Sequence, residues 1–178
     1  MNTKNMYPDI ENSLLKVEDH YIKKILTPYH DHCHYLKNLD VHINEHNGVK
    51  ELVGKGNFGI ASSCYIDDTG HFNAVEFNIC FNQLAYTFFG YCILKNLIPE
   101  LNMYKGEIFF QNQLSHLLIA KISSSYKTEI NAKKFKGEIG IKSLSKRSTG
   151  TFVNTYCNFE DGINGKSTGE ILVVLLNP

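Results

Sequence analysis

Between Tyr65 and Gln83 the chain runs from a polar, glycine-containing stretch into an apolar one that carries Asn73, Glu76, Asn78, Asn82 and Gln83. A carboxamide buried without a partner costs roughly 1–3 kcal/mol. Carboxamides and a carboxylate on an otherwise apolar helix therefore require a closed hydrogen-bond network or a polar ligand. The start of such a helix also offers unpaired N–H groups and the positive end of its dipole, which suit an anion or a carbonyl oxygen that turns negative. Tyr65 adds a phenol able to donate to an oxyanion or an enolate. For proton transfer the first candidate is His71, since histidine titrates near neutral pH, with Glu76 the alternative base. The residue types point to polarisation of a carbonyl with a proton moved nearby.

The elements that must hold these groups follow from hydrophobic periodicity. Asn73 with Glu76 three positions later makes a capping-box variant, so the helix starts at about Ala74; it runs to about Leu97, before Pro99. Its apolar residues cover nearly every face, which predicts burial on all sides. Upstream, Leu14, Leu15, Val17, Tyr21, Ile22 and Ile25 predict an N-terminal helix over Ile10 to Leu26, capped by Asn12 or Ser13 and ended by Pro28. His46-Asn47-Gly48 between two apolar runs is a hairpin signal. A further strand is expected from Phe58 to Ile66, carrying Tyr65, with the turn Asp67-Asp68-Thr69-Gly70 after it. Beyond the helix, strands are expected at Ile108–Phe110, Leu114–Tyr126, Phe135–Ser145, Thr151–Phe159 and Gly169–Leu176. The last is apolar from Ile171 to Leu176, which predicts cover on both of its faces. With no repeat or linker, residues 1–178 read as a single domain. One long buried helix with antiparallel strands is accommodated most economically by a sheet wrapped around the helix, the α+β hotdog fold.

Composition narrows the class. The chain has 178 residues, 43% hydrophobic and 20% charged, which fits one globular domain with a sizeable core. Eighteen basic residues balance 18 acidic ones, against the basic excess of an electrostatic nucleic-acid binder. Five cysteines without CxxC spacing read as free thiols in a reducing cytosol. The polar stretch Met1 to Ile10 has no signal-peptide pattern, and the apolar run Leu84 to Leu94 is short for a bilayer, which needs about 20 residues. A cytoplasmic protein is expected, with no partnership with nucleic acid or membrane.

The stretch Tyr65 to Gln83, above all Gly70-His71-Phe72-Asn73-Ala74-Val75-Glu76-Phe77-Asn78, resembles the signature of the FcoT-like hotdog thioesterase family. The resemblance extends from about Tyr35 to Leu176. It implies a site for fatty acyl thioesters of coenzyme A or an acyl carrier protein, lined by Tyr65, Asn73 and Asn82, and by an N-terminal tyrosine that is either Tyr35 or Tyr29. It also implies a homodimer or larger assembly and no cofactor. Two activities occur in that family: hydrolysis of long-chain acyl thioesters, and addition of glycine to an enoyl group on an acyl carrier protein in isonitrile lipopeptide pathways. Hydrolysis is the leading expectation here, because no Lys or Arg within the motif offers a clamp for a glycine carboxylate; Lys142, Lys146 or Arg147 would have to reach the site through the fold. The catalytic candidates are Tyr65, His71, Asn73 and Asn82. Tyr35, Glu76, Phe77, Asn78 and Phe81 are the candidates to line the substrate slot.

Each residue also has an ordinary explanation. Asn73 and Glu76 can simply cap the helix, Tyr65 can be a strand tyrosine, and His71 can bond a loop carbonyl. Asn78 and Asn82 are hardest to explain that way, because amides on an apolar helix need partners. His30-Asp31-His32-Cys33-His34 puts three histidines on one face of an extended chain, yet no distant ligand pair accompanies them, so no metal site is expected. Lys133, Lys134, Lys136, Lys146 and Arg147 read as solvated strand ends, or else as a landing site for an acidic carrier protein.

Overall fold

The computed structural model describes residues 13–46, 49–67 and 70–178. Seven antiparallel strands form one sheet, β1 (Ser13–Lys16), β2 (Leu36–His46), β3 (Val49–Phe58), β4 (Leu117–Thr128), β5 (Phe135–Arg147), β6 (Gly150–Glu160) and β7 (Lys166–Leu176), in the order β1-β2-β3-β5-β6-β7-β4. Helix α2 (Ala74–Leu94) lies along its inner face, while α1 (Asp19–Leu26) and α3 (Glu107–His116) close over the C-terminal half of α2. This is the expected α+β hotdog fold.

Two glycines let the helix sit close to the sheet. A Cβ on Gly54 would lie 2.7 Å from the Phe88 ring, and one on Gly169 would lie 2.6 Å from the tip of Phe77. Both rings are fully buried, and Phe77 stacks edge-on against Phe159 at 5.1 Å. On the other side Gly90 leaves room for Phe109 and Ile25.

Several elements differ from the sequence reading. Residues 13–16 form an edge strand rather than a helix, pairing Ser13 with Ile43 and Lys16 with Asp40. The helix begins after Glu18, because Ser13 to Lys16 alternates and so satisfies a sheet edge better than a helix face. Residues 10–12, including the cap candidate Asn12, lie outside the described residues. So do Asn47 and Gly48 of the hairpin, although the ladder from Leu36↔Phe58 to His46↔Val49 brings the strands together as expected. Asp68 and Thr69 of the second turn are likewise outside. The strand expected from Phe58 to Ile66 does not form: β3 ends at Phe58, after which the chain leaves the sheet, so Tyr65 stands on a loop. α2 ends at Leu94. Ile108 to Phe110 is helical, because Phe109 and Gln113, one turn apart, are the buried pair that faces α1 and α2. On β7 the outer face is only partly covered. Val174 is buried between Leu118 and Phe152 on the neighbouring strands, while Leu172 and Leu176 are half-buried.

The loop that carries Tyr65 is tied at both ends to one short segment. The Ile60 N–H donates to the Ala132 carbonyl at 2.9 Å and the Phe72 N–H donates to the Ile130 carbonyl at 3.2 Å. Asp161 holds that segment from below by accepting from the Asn131 N–H.

The N-terminal half of α2 is not buried all round. Val75 is 47% exposed, Asn78 is exposed, and Ile79 and Asn82 are half-buried. Their three-and-four spacing makes one open stripe. Beside it the inner face of edge strand β4 is also open, with Ile122 39% and Tyr126 42% exposed. A bulge at Ala120 turns these two side chains inward, opposite Ile171 and Ser167.

Candidate functional site

The open stripe begins at the cap of α2. Asn73 Oδ1 accepts from the N–H groups of Val75 (2.9 Å) and Glu76 (3.2 Å), and Glu76 Oε2 accepts from the Asn73 N–H at 3.1 Å. The capping box read from the sequence is therefore complete, and it has a consequence for the chemistry. The helix N–H groups expected to face a substrate oxygen are in part occupied by the Asn73 side chain. The same side chain projects the polarity outward instead: Asn73 Nδ2 donates to the Tyr65 hydroxyl oxygen at 2.7 Å. A phenol that accepts from an amide keeps its own proton for a third group, and the donated bond strengthens that proton as a donor. Tyr65 itself is 42% exposed.

One and two turns further along, Asn78 and Asn82 continue the stripe, with Asn82 Nδ2 3.5 Å from Asn78 Oδ1. That contact is long enough to leave most of their hydrogen-bonding capacity for a ligand. His71 is exposed on the loop just ahead of the cap. Glu76 is only 2% exposed and serves the cap from inside. Phe77 and Phe81 are fully buried, so they form the floor beneath the stripe rather than an open wall.

The two tyrosines left open by spacing separate clearly. Tyr35 is buried and its hydroxyl donates to the Ser62 carbonyl at 3.3 Å, inside the loop that carries Tyr65. Tyr29 lies further along the helix beside Tyr86 and Cys80, and its carbonyl accepts from His34 Nε2 at 3.1 Å. Burial raises both phenols above their ordinary range, and at Tyr35 the Cys64 thiol adds to the effect. Tyr35 is thus the tyrosine that reaches the Tyr65 loop.

A positioning group absent from the sequence-derived site is Gln83. Fully buried, its Oε1 accepts from the N–H groups of Tyr35 and Leu36, both at 3.0 Å, while Nε2 donates to the Cys33 carbonyl at 2.6 Å. One side chain thus fixes the segment that carries Tyr35. The signal was present in the sequence, as an amide on an apolar helix that needed partners.

Lys142 and Arg147 lie away from this site, whereas Lys133 reaches the loop that carries Tyr65. Lys142 pairs with Glu170 on the outer face of the sheet, and Arg147 lies over the Phe152 ring at 4.6 Å at the far end of β5. Lys133 Nζ donates to the Ala61 carbonyl at 3.0 Å. In the histidine tract the rings of His30 and His32 stack at 5.9 Å, and among the described residues no three His, Cys, Asp or Glu side chains gather as for a metal.

Comparison with known proteins bears on the family and the fold. Residues 24–175 match the model of the FcoT-like thioesterase domain. A protein of Streptomyces coeruleorubidus named (2E)-enoyl-[ACP] glycyltransferase is 33% identical over 161 residues, 88% of this chain and 95% of its own length. Proteins of the same name from Mycobacterium marinum and Mycobacterium tuberculosis H37Rv are 33% and 34% identical, each across 90% of this chain and 88% of theirs. Among solved structures, the putative thioesterase yhdA of Lactococcus lactis superposes with a TM-score of 0.50 at 7% identity, covering 80% of this chain and 94% of its own, a likeness of fold. Among the described residues no helix is long and apolar enough to cross a membrane.

Proposed function

For a chain that belongs to the FcoT-like thioesterase family, we propose addition of glycine to the β-carbon of a 2-enoyl thioester held on an acyl carrier protein. The observation that carries this reading is the Asn73–Tyr65 pair, taken with the name shared by relatives that span nearly all of the chain. The Tyr65 hydroxyl hydrogen-bonds to the thioester oxygen and keeps its proton throughout. The glycine amine attacks C3, the C2=C3 electron pair moves into the enolate, and the oxyanion is held by that phenol. The proton released from nitrogen returns to C2, so no water, oxidant or cofactor enters the balance. His71 takes the proton from glycinium, since only the neutral amine attacks. The amides of Asn78 and Asn82 receive the glycine carboxylate, a task that Lys142 and Arg147 are too far away to perform.

Hydrolysis, the reading favoured by sequence alone, needs a base aimed at a water. Glu76 is buried within the capping box and poorly placed to supply one, which leaves His71 as the base for either reaction, so the name shared by the relatives is what favours addition of glycine. The family's description as thioesterase-like keeps hydrolysis as the second reading. The two readings separate by intact mass spectrometry of an enoyl carrier-protein thioester incubated with and without isotopically labelled glycine. A carrier-bound product heavier by one glycine is expected, with Tyr65→Phe slowing its formation roughly 10²–10³-fold, the usual loss for one oxyanion donor. Free fatty acid, formed at a rate indifferent to glycine, would refute the proposal.

The assembly is proposed on separate grounds. Strand β4 is a 12-residue sheet edge whose inward Ile122 and Tyr126 lie open beside the exposed stripe of α2. Long open edges invite a further strand, and pairing with a second copy would cover edge and stripe together. Sedimentation at micromolar concentration giving a monomer would refute it.

A further inference from the structure

The loop that carries Tyr65 has little packing of its own. Its ends are plugged into the core, with Ile60 and Phe72 each 3% exposed, but between them every described residue is half-buried or exposed. A segment without buried apolar contacts fluctuates unless something ties it down, whereas a catalytic group must be held to within about 0.5 Å. Two ties reach the interior of the loop through consecutive carbonyls. The Tyr35 hydroxyl donates to that of Ser62 at 3.3 Å, and Lys133 Nζ donates to that of Ala61 at 3.0 Å. Tyr35 already belongs to the candidate site; Lys133 does not.

Lys133 is mounted on a well-bonded platform. It sits in the turn from Asn131 to Lys134, closed by the Lys134 N–H donating to the Asn131 carbonyl at 3.3 Å, and its own N–H donates to Asn131 Oδ1 at 3.0 Å. The Asn131 N–H donates to Asp161 Oδ2 at 3.1 Å. The other oxygen of that carboxylate accepts from the N–H groups of Ile163, Asn164 and Gly165 between β6 and β7. Ile130 and Ala132, whose carbonyls receive the two ends of the loop, are buried. A Cβ on Gly59 would stand 2.9 Å from the Lys133 carbonyl oxygen, so a glycine there lets the chain leave β3 against the turn.

We infer that Lys133 is a positioning residue: its ammonium holds the Ala61 carbonyl so that the Tyr65 hydroxyl, further along the loop, stays between Asn73 and the thioester oxygen. The role rests on the proposed addition of glycine, in which that hydroxyl stabilises the oxyanion. An ammonium suits the task because a charged donor makes a shorter and stronger hydrogen bond than a neutral one. Two consequences separate this role from attraction of an acidic carrier protein, the other task open to an exposed lysine. Loss of a positioning residue weakens stabilisation of the transition state, so kcat falls and KM barely changes. It also acts through one partner, so its loss matters only while the Tyr65 hydroxyl is present.

The test follows adduct formation from glycine and an enoyl carrier-protein thioester, using the whole protein. Lys133→Met is expected to lower kcat roughly 10–10²-fold, the loss for a displacement of up to about 1 Å, with KM for the carrier thioester within about twofold of wild type. Lys133→Arg, which keeps a charged donor, is expected to recover most of the rate. In a Tyr65→Phe background, Lys133→Met is expected to change the rate less than about twofold. Hydrogen exchange read by mass spectrometry should rise in residues 60–66 of Lys133→Met while α2 stays protected. A raised, salt-dependent KM at constant kcat would show carrier docking instead and overturn the inference. Losses that multiply in the double variant, or unchanged exchange in the loop, would overturn it as well. A wild type that releases free acid and makes no adduct counts against the proposed reaction. The same ratios, read on acid release, then decide the role of Lys133, because an oxyanion forms at the thioester in both reactions.

Discussion

Replacing Gln83 by Leu leaves the Leu36 N–H without its partner, while the Tyr35 N–H and the Cys33 carbonyl keep only their bond to each other. A buried polar group left without its partner costs roughly 1–3 kcal/mol. One such group, with two more reduced to a single bond between them, brings the expectation to roughly 2–3 kcal/mol. That is a large fraction of the 5–15 kcal/mol stability typical of a domain, so urea denaturation should show a clear fall in midpoint. Gln83→Glu tests the polarity of the clamp. Its carboxyl can still accept from both N–H groups, but the second oxygen faces the Cys33 carbonyl, which lies 2.6 Å from the nitrogen it replaces, and only the protonated acid can donate there. The folded protein therefore raises the pKa of this carboxyl above its unfolded value of about 4.3. Stability is retained below that value and lost as pH rises through the folded pKa. A Gln83→Leu protein within about 1 kcal/mol of wild type, or a Gln83→Glu deficit that grows as pH falls, would refute this account of the clamp.

Asn73→Asp keeps an oxygen for the Val75 and Glu76 N–H groups but has no N–H for Tyr65; its melting temperature should stay near wild type while adduct formation falls roughly 10²-fold. Loss of stability with full activity would contradict the division of labour within that side chain. Gly169→Ala places a Cβ 2.6 Å from the Phe77 ring and should cost roughly 1–3 kcal/mol in chemical denaturation, as overpacking does; a neutral substitution would show that the ring moves aside freely. Asp161 accepts from the N–H groups of Ile163, Asn131, Gly165 and Asn164, which lower its pKa. Its contribution to stability is therefore present above the unfolded carboxyl value of about 3.9 and lost as pH falls through the lower folded value. Carboxyl-carbon NMR should find Asp161 titrating below that of an unstructured aspartate, and a normal titration would remove the acid sensitivity.

The hotdog fold was legible because its central helix is apolar on nearly every face from Phe77 to Ile93, a pattern that few other arrangements can bury. The cap was legible for a local reason, since Asn73 and Glu76 stand at the spacing their mutual hydrogen bonds require. What failed depended on contacts distant in sequence. Ile108-Phe109-Phe110 has the composition of a strand, and only its packing against Gly90 and Ile25 makes it a helix. Tyr65 was expected on a strand, but its segment leaves the sheet after Phe58 and is held by the 130–132 segment, a pairing that no local pattern encodes. That Tyr35 rather than Tyr29 reaches the Tyr65 loop depends on its hydroxyl bond to the Ser62 carbonyl, 27 residues away. The open stripe could not be read either, because periodicity reports which faces are apolar and not how far α1 and α3 extend over them.

The double anchorage of the Tyr65 loop separates its length from the stability of the protein. Both ends, at Ile60 and Phe72, are fastened within three residues of each other at 130–132, so the intervening chain closes on a fixed short chord. For a flexible closed segment the entropy of closure grows only logarithmically, by about 0.6 kcal/mol for each doubling of length. Residues can therefore be inserted or removed between the anchors at little thermodynamic cost, provided that the phenol still meets Asn73. The loop is a cassette whose length can vary almost independently of the sheet beneath it.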